Sequence, residues 1–265
     1  MRLCSIASGS SGNCIYIGSE ENSLLIDAGI SGRRVEAGLK ELALCGKDMD
    51  GILITHEHSD HIKGLGVLAR KFELPIYGTR GTLKAIKRMD NLGPIPEELF
   101  REIVPDVDFQ VGELTVSPFR VSHDAAEPVA YRVTCGEKTA AVATDLGVYT
   151  DYTVEKLKNL DILLLEANHD IHMLEVGGYP YYLKQRILGE RGHLSNESAG
   201  QLLCKVLHDG LKHIFLGHLS KENNYEELAY ETVRLEVLLE DTPYGPDDFP
   251  ITVAGRDRIS RCVSV

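Results

Sequence analysis

A four-layer α/β sandwich, two sheets packed face to face with helices on both outer sides, is the fold class this sequence predicts. Three observations carry the prediction. Short apolar runs such as Gly51-Ile52-Leu53-Ile54 and His213-Ile214-Phe215-Leu216 recur along the chain, too short for helices and rich in β-branched residues. They first follow one another and then alternate with helical patterns, and the second half repeats that order. A polar residue stands directly after several of them, at the sheet edge where layered α/β folds build their sites. The expected organisation is one domain over residues 1–265, made of two related halves.

Strands are expected at residues 2–6, 14–17, 23–27 and 52–55, with a helix over 32–44 between the third and fourth. Residues 60–71 carry helical spacing through Ile62, Leu65, Leu68 and Ala69. A strand at 74–77 and a helix at 79–89 follow, before Gly93-Pro94-Ile95-Pro96 breaks the pattern. In the second half, strands are expected at 114–121, 130–134, 139–143 and 162–165, with a helix at 151–160. Residues 196–207 read as a helix with Ser195 as its N-cap. A strand at 213–216, a helix at 222–239 and strands at 251–254 and 259–263 close the chain.

An apolar content of 43% and a charged content of 26% are those of a soluble globular protein. No apolar run approaches the ~20 residues that cross a bilayer, so no membrane partner is expected. The brief apolar start Met1-Arg2-Leu3-Cys4-Ser5-Ile6 is not expected to be a signal peptide. Six scattered cysteines without a C-x-x-C pair read as reduced thiols, which points to a cytoplasmic protein. The net charge of −12 opposes a nucleic-acid partner bound through a basic face alone. Bound metal ions would offset part of it, and basic residues cluster at Arg70-Lys71, from Arg80 to Arg88, and at Lys184, Arg186 and Arg191. Solvated helix faces explain most of those clusters equally well.

The residues that carry chemistry begin behind the strand ending at Thr55. His56-Glu57-His58-Ser59-Asp60-His61 packs three imidazoles and two carboxylates into six residues. Neutral imidazole and carboxylate suit Zn²⁺, Mn²⁺ or Fe. Further candidates stand at other strand ends: His123 after 114–122, Asp145 after 139–144, and His218 after 213–217. Asp27 follows the run 23–26 and precedes Ala28-Gly29, which are small enough for close approach. Taken singly, each fits a hydrogen-bonded loop or a turn. Their recurrence at strand ends is what groups them with the cluster.

The ordered set Asp27, His56-x-His58-x-Asp60-His61, His123, Asp145 and His218 resembles the five motifs of the metallo-β-lactamase superfamily. The resemblance implies an αββα sandwich with two divalent metal ions at one edge of the sheets. It implies that His56, His58 and His123 hold the first ion, that Asp60, His61 and His218 hold the second, and that Asp145 bridges both. Asp27 would orient a ligand histidine from behind. Lactam-cleaving members carry a cysteine at the bridging position, so the aspartate argues against antibiotic hydrolysis. Ser8-Gly9-Ser10-Ser11-Gly12-Asn13-Cys14, Glu166-Ala167-Asn168-His169-Asp170 and Gly192-His193-Leu194-Ser195 resemble the YycJ/WalJ branch. That likeness implies a 5'-3' exonuclease on single-stranded DNA ends, linked to repair. Glu166-Ala167 and His193 also match where ribonuclease Z-type enzymes place a histidine that assists cleavage and a glutamate that orients it. Neither an obvious inserted tRNA-binding arm nor the extra domain of ribonuclease J-type enzymes is expected from this sequence, which disfavours a structured RNA.

Two ions roughly 3.5–4 Å apart would acidify a shared water toward neutrality, giving a metal-bridging hydroxide for in-line attack on phosphorus. The leaving alkoxide needs a proton, which His193, held cationic by Glu166, is expected to supply. Asp60, Glu166 and His193 are thus the catalytic candidates; a helix or loop cap is the alternative for the last two. Ser10, Asn13, His169 and Ser195 are the candidate substrate contacts. The Ser8–Asn13 segment reads either as a phosphate-binding loop or as a tight hairpin. His169 and His172 read either as an accessory metal or phosphate contact or as a polar rim. Tyr179, Tyr181 and Tyr182, near Lys184 and Arg186, read as a stacking platform for bases, a core element or a dimer contact. His208 and His213 are expected to be structural. The competing functions are a thioester or lactone hydrolase of glyoxalase II type, a small-molecule (cyclic) phosphodiesterase and, more remotely, a di-iron redox protein. The sequence sets no oligomeric state.

Overall fold

Fourteen strands alternate with nine helices in the computed structural model, which describes residues 1–265. The strands are β1 (Arg2–Ala7), β2 (Cys14–Gly18), β3 (Ser23–Ile26), β4 (Gly51–Leu53), β5 (Ile76–Thr79), β6 (Phe100–Ile103) and β7 (Phe109–Val111), then β8 (Leu114–Arg120), β9 (Val129–Cys135), β10 (Lys138–Ala143), β11 (Ile162–Glu166), β12 (His213–Gly217), β13 (Ile251–Val253) and β14 (Val263–Ser264). They form two seven-stranded sheets, ordered β14-β1-β2-β3-β4-β5-β6 and β13-β12-β11-β10-β9-β8-β7. Helices α1 (Gly32–Glu41), α2 (Ser59–Ile62), α3 (Leu65–Phe72) and α4 (Arg80–Ile86) belong to the first sheet's half. Helices α5 (Asp151–Lys156), α6 (Ile171–Val176), α7 (Tyr181–Leu188), α8 (Asn196–Cys204) and α9 (Glu226–Leu239) belong to the second. None is long and apolar enough to cross a membrane.

The four layers follow from strand alternation, since successive side chains leave opposite faces. Leu24 and Ile26 of β3 meet Ile162 and Leu164 of β11 in an apolar layer between the sheets. Leu25, Ile52 and Ile76 point outward onto Val35, Leu39, Leu65 and Leu68 of the helices. Leu163 and Leu165 point the other way, onto Leu202, Leu203, Ala229 and Val233. A strand buried on both faces must be apolar throughout, which is why the central strands appear as unbroken hydrophobic runs. Burying each such Leu or Ile contributes roughly 1.5–3 kcal/mol.

The four-layer expectation is met, with local corrections. The helix expected over 60–71 is two helices, because Gly64 donates its N–H to Ala28 O and a Cβ there would meet Ile30 O at 2.2 Å. The last strand is shorter than 259–263: Ser260 Oγ takes the N–H of Ser5, and ladder pairing starts only at Val263. Residues 8–13 join antiparallel β1 and β2, the hairpin reading of that segment. Edge strands β6 and β7 were not expected, since exposed Arg101, Glu102 and Gln110 interrupt their apolar pattern. Helices α6 and α7 were missed because each buries a single residue, Leu174 and Ile187, leaving no periodicity to read.

Candidate metal centre

Strand direction collects the site. β3, β4 and β5 run parallel, as do β10, β11 and β12, and β8 shares the direction of β10 through two antiparallel pairings. The carboxyl ends of these strands deliver Asp27, the His56–His61 cluster, His123, Asp145, Glu166 and His218 to one edge of the sandwich. Three of these residues adopt left-handed backbone: Asp27 at φ 61°, Asp145 at φ 60° and His218 at φ 57°. Non-glycine residues rarely take that conformation without a compensating constraint. Here it turns the chain at the strand exit and aims each side chain at the cluster.

A chain of donors fixes the first half of the ring. His56 Nδ1 donates to Thr55 Oγ1 at 3.0 Å, and Thr55 Oγ1 donates to Asp27 Oδ2 at 2.8 Å. His61 Nδ1 donates to the same Oδ2 at 2.7 Å. A carboxylate only accepts, so His61 must carry its proton on Nδ1 and present Nε2 to the ring. His58 caps α2 and brings Nδ1 to 3.2 Å from His123 Nε2. Asp60 Oδ2 stands 3.5 Å from His61 Nε2 and 3.4 Å from His218 Nε2.

The second half closes it. His123 donates Nδ1 to Gly192 O at 2.9 Å. His218 and His193 both donate Nδ1 to Glu166 Oε1, at 2.7 and 2.8 Å. Glu166 Oε2 accepts the backbone N–H groups of Leu146 and Leu194. Asp145 lies at the centre: its carboxylate oxygens are 3.2 Å from His61 Nε2, 3.5 Å from His123 Nε2, 3.6 Å from His218 Nε2 and 4.0 Å from His56 Nε2. Three groups of donor atoms converge: His56, His58 and His123; Asp60, His61 and His218; and His56, His61 and Asp145. Asp145, Glu166, His193 and His218 also converge, but that group is a hydrogen-bond hub. A metal on Glu166 Oε1 would have to displace two Nδ1 protons.

Charge determines what the ring accepts. Burial pushes the His56 imidazole well below its ordinary value, with His61 acting in the same sense, and burial lowers His123. His61 moves the other way: burial opposes its charge, but Asp145, Asp27 and Asp60 outweigh burial and raise it well above the histidine range. His218 is raised to about 10 against burial, by Asp145 and by hydrogen bonds to Asp60 and Glu166. Burial acts to raise Asp60, Asp145 and Glu166, yet the surrounding imidazoles hold the first two below the usual carboxylate range and Glu166 at about 2. Ionised carboxylates at this edge therefore draw in positive charge, which divalent cations supply in the highest density. Two atoms show where. His56 Nε2 is buried without a hydrogen-bond partner, and so is Asp145 Oδ2, since the His61 proton sits on Nδ1 and leaves Nε2 none to give. Unpartnered buried polar atoms are costly, and imidazole with carboxylate is a donor set for divalent metal. The residues fit the group.

Residues 22–211 match the family described as Beta-lactamase superfamily domain. The chain belongs to the metallo-β-lactamase superfamily. It is 44% identical over 241 residues to Exodeoxyribonuclease YycJ of Bacillus anthracis, covering 91% of this chain and 89% of that one. It is 41% identical over 242 residues to Exodeoxyribonuclease WalJ of Streptococcus pneumoniae, covering 91% and 90%. The structure of Zn²⁺-bound PqqB from Methylobacterium extorquens superposes over 100% of both chains with a TM-score of 0.73 at 16% identity, a likeness of fold. Superfamily and YycJ/WalJ branch are those the sequence motifs indicate.

Around this metallo-β-lactamase centre, the four candidate substrate contacts fall in different places. Asn13 is buried beneath the ring, with Oδ1 accepting from Gly9 N and Nδ2 3.2 Å from His61 Nε2. Ser8 Oγ accepts from His218 N at 2.8 Å, so this hairpin braces the site from inside. Its N–H groups at Gly9, Ser10, Gly12 and Asn13 are spent on protein acceptors, which disfavours a phosphate-binding loop. Ser10 is exposed, 3.4 Å from Arg256 Nη1. Ser195 is buried as the N-cap of α8, accepting from Ser198 N. His169 is buried with neither ring nitrogen partnered, and burial lowers it to about 4. His208 and His213 bond to Leu160 O and Thr252 Oγ1, away from the ring.

Sequence reasoning missed several contributors. Thr55 links His56 to Asp27, and Asn168 Nδ2 holds His218 O at 2.8 Å. Asp124 lies 3.4 Å from His123 Nε2 and receives Arg186 Nη2 at 2.9 Å. Arg256 reaches the opposite rim, donating to Leu219 O. Adjacency to His123 was the available signal for Asp124; Arg256 offered none, being brought in by a long connection.

Proposed function

We propose that this protein is a metal-dependent exodeoxyribonuclease that removes nucleotides from single-stranded DNA ends in the 5'-3' direction and serves DNA repair. One observation carries the choice of phosphodiester chemistry. His193 sits beside the ring, its Nδ1 on Glu166 and 3.6 Å from Asp145 Oδ1, with Nε2 free of any protein partner. The printed names of the YycJ and WalJ relatives support the DNA substrate.

In this reading His56, His58 and His123 would hold one divalent ion and Asp60, His61 and His218 a second, with Asp145 available to both. Bound Zn²⁺ or Mn²⁺, or Fe, would supply water acidified to neutral pH and charge stabilisation on the phosphoryl oxygens. The protein's own contribution is positional. Asp27 through Thr55, Gly192 O and Glu166 lock the imidazole rings so that the ligand atoms do not reorganise. Glu166, fully buried, fixes the His193 ring through Nδ1, and Nε2 passes a proton to the departing sugar oxygen. A thioester releases a thiolate that needs no such proton, which sets the glyoxalase-type alternative lower. Six free cysteines suit the cytosol, where this reading places the protein.

The test is digestion of end-labelled single-stranded oligonucleotides with Mn²⁺ or Zn²⁺, run beside a thioester assay. His193→Ala is expected to lower kcat by about 10²–10⁴-fold at unchanged metal content. Robust thioester turnover without oligonucleotide cleavage overturns the substrate; full activity of His193→Ala overturns the role of the histidine.

A further inference from the structure

The rim carries a helix that the packing of the fold does not explain. α7 buries only Ile187, while Tyr181 and Tyr182 are 77% and 74% exposed. Neither ring stacks on another aromatic side chain, and neither hydroxyl has a protein partner. A tyrosine left this open on a folded surface gains nothing from burial and offers its face to whatever arrives. Val176, at the end of α6, is 70% exposed beside the same turn.

Spacing ties this face to the metal centre. Tyr182 and Arg186 are four residues apart, so they lie on the same side of α7, separated by about 6 Å along its axis. Arg186 donates to Asp124, whose Oδ1 is 3.4 Å from His123 Nε2 and 3.9 Å from His58 Nε2. The side of α7 that carries Tyr182 therefore faces the mouth of the ring, one helical turn out. The nearby cations are available to an anion. Lys184 Nζ rests on the carbonyl of Glu175 and Arg191 on the carbonyl of His123, so no carboxylate neutralises either. An aromatic face beside the unneutralised Arg191, continuous with a phosphodiester-cleaving centre, is complementary to a single strand and unlike a closed duplex end, whose base faces are already stacked.

We propose that α7 is the substrate platform of this protein, with Tyr182 stacking on an unpaired DNA base next to the scissile phosphate and Arg191 holding a backbone phosphate. The proposal rests on the nuclease reading and deepens it: α7 is what makes the enzyme select unpaired ends.

The experiment measures steady-state cleavage of a single-stranded oligonucleotide by the metal-loaded full chain. Tyr182→Ala is expected to raise KM about 5- to 150-fold, with kcat at saturation changed little. Tyr182→Phe and Tyr182→Trp keep the low KM, because stacking needs the ring and not the hydroxyl. An oligonucleotide made abasic at its terminal positions gives the wild type the same penalty, and Tyr182→Ala is then indifferent to the lost bases. Wild-type protein that cleaves no oligonucleotide defeats the nuclease reading itself. Wild-type protein that cleaves, with KM unmoved in Tyr182→Ala, defeats the platform alone. A change of sedimentation behaviour in Tyr182→Ala without a change of KM assigns the ring to a contact between copies and likewise ends the proposal.

Discussion

β3 and β10 occupy the same place in their two sheets, but the turns beyond them put the same residue type to different uses. Each is the strand at which antiparallel pairing on one side gives way to parallel pairing on the other. Each is followed by an aspartate in left-handed backbone, Asp27 and Asp145, and by a glycine two residues later. A Cβ on Gly29 would meet Asp60 O at 1.6 Å, and one on Gly147 would meet Glu190 O at 2.1 Å. The two halves thus share a strand position, an aspartate and a close backbone approach. The two aspartates nevertheless do different work. Asp27 stands behind the ring, where it accepts from His61 and Thr55; Asp145 stands inside it, facing five imidazoles. In the second half the supporting task falls to Glu166, at the end of the neighbouring strand. One backbone device thus serves two roles, and the groups delivered by the opposing loop decide which.

The sharpest way to break this contrast is to remove the two charges in turn. On the proposed two-ion reading, Asp145→Asn takes the shared carboxylate from both sites, so bound metal should fall from about two ions per chain to below one. Activity should drop roughly 10³-fold or more, since several kcal/mol of charge stabilisation goes with the ions. Asp27→Asn leaves every ring atom in place and should cost only about 10–100-fold in metal affinity. Elemental analysis and oligonucleotide cleavage of the two variants check this. Equal losses would mean that the two aspartates are not divided between ring and support.

A finer separation sets Glu166 against Asp27. Glu166 holds two histidines and two backbone N–H groups, whereas Asp27 holds one histidine directly. A glutamine at position 166 can keep one accepting oxygen, but its amide nitrogen then confronts a donor. Glu166→Gln should therefore lower metal affinity about 10–100-fold through His218 and also lower kcat through His193. Excess metal should restore Asp27→Asn to near wild-type turnover and Glu166→Gln only in part. Chelator competition gives the affinity, and metal-saturated turnover gives kcat. Full rescue of Glu166→Gln would reduce it to a support like Asp27.

The same asymmetry explains what the sequence disclosed. The first half concentrates His56, His58, Asp60 and His61 behind one strand, so local spacing is enough to announce them. The second half contributes one residue per strand end, and His123, Asp145 and His218 become legible only through the recurrence of that position. The central strands were readable because burial on both faces demands an unbroken apolar run. Edge strands β6 and β7 and helices α6 and α7 lack that demand and left no periodic trace. The left-handed conformations at Asp27, Asp145 and His218 leave only a weak signal in residue type, since Asp and His enter that region more often than most side chains. Nor does the sharing of Glu166 by His193 and His218, which depends on β11 and β12 lying side by side. Ala28-Gly29 did hint at close approach, but the partner, Asp60 O, appears only once the chain is folded.

The smallest expected effects come from the paired glycines, and they test whether the two halves are built alike. Gly29→Ala must push against the Asp60 backbone and against Asn13 N at 2.8 Å; Gly147→Ala must push against Glu190 and against Gly192 N at 2.6 Å. Backbone cannot rotate away as a side chain can, so each variant should lose about 1–3 kcal/mol of stability. For a chain of this length that lowers Tm by a few degrees per kcal/mol, roughly 2–4 °C. The two should differ in what else they disturb. Gly29→Ala displaces Asp60 and should weaken metal bound by Asp60, His61 and His218. Gly147→Ala shifts the segment whose Gly192 carbonyl anchors His123, so it should weaken the group of His56, His58 and His123. Gly178→Ala, where a Cβ meets nothing within 4 Å, is the control and should leave both readouts unchanged. Thermal unfolding of metal-stripped protein isolates the packing cost, and titration with Zn²⁺ then reports the two sites. If Gly29→Ala and Gly147→Ala melt like the control, the matched close approaches contribute nothing and the correspondence between the halves loses its physical basis.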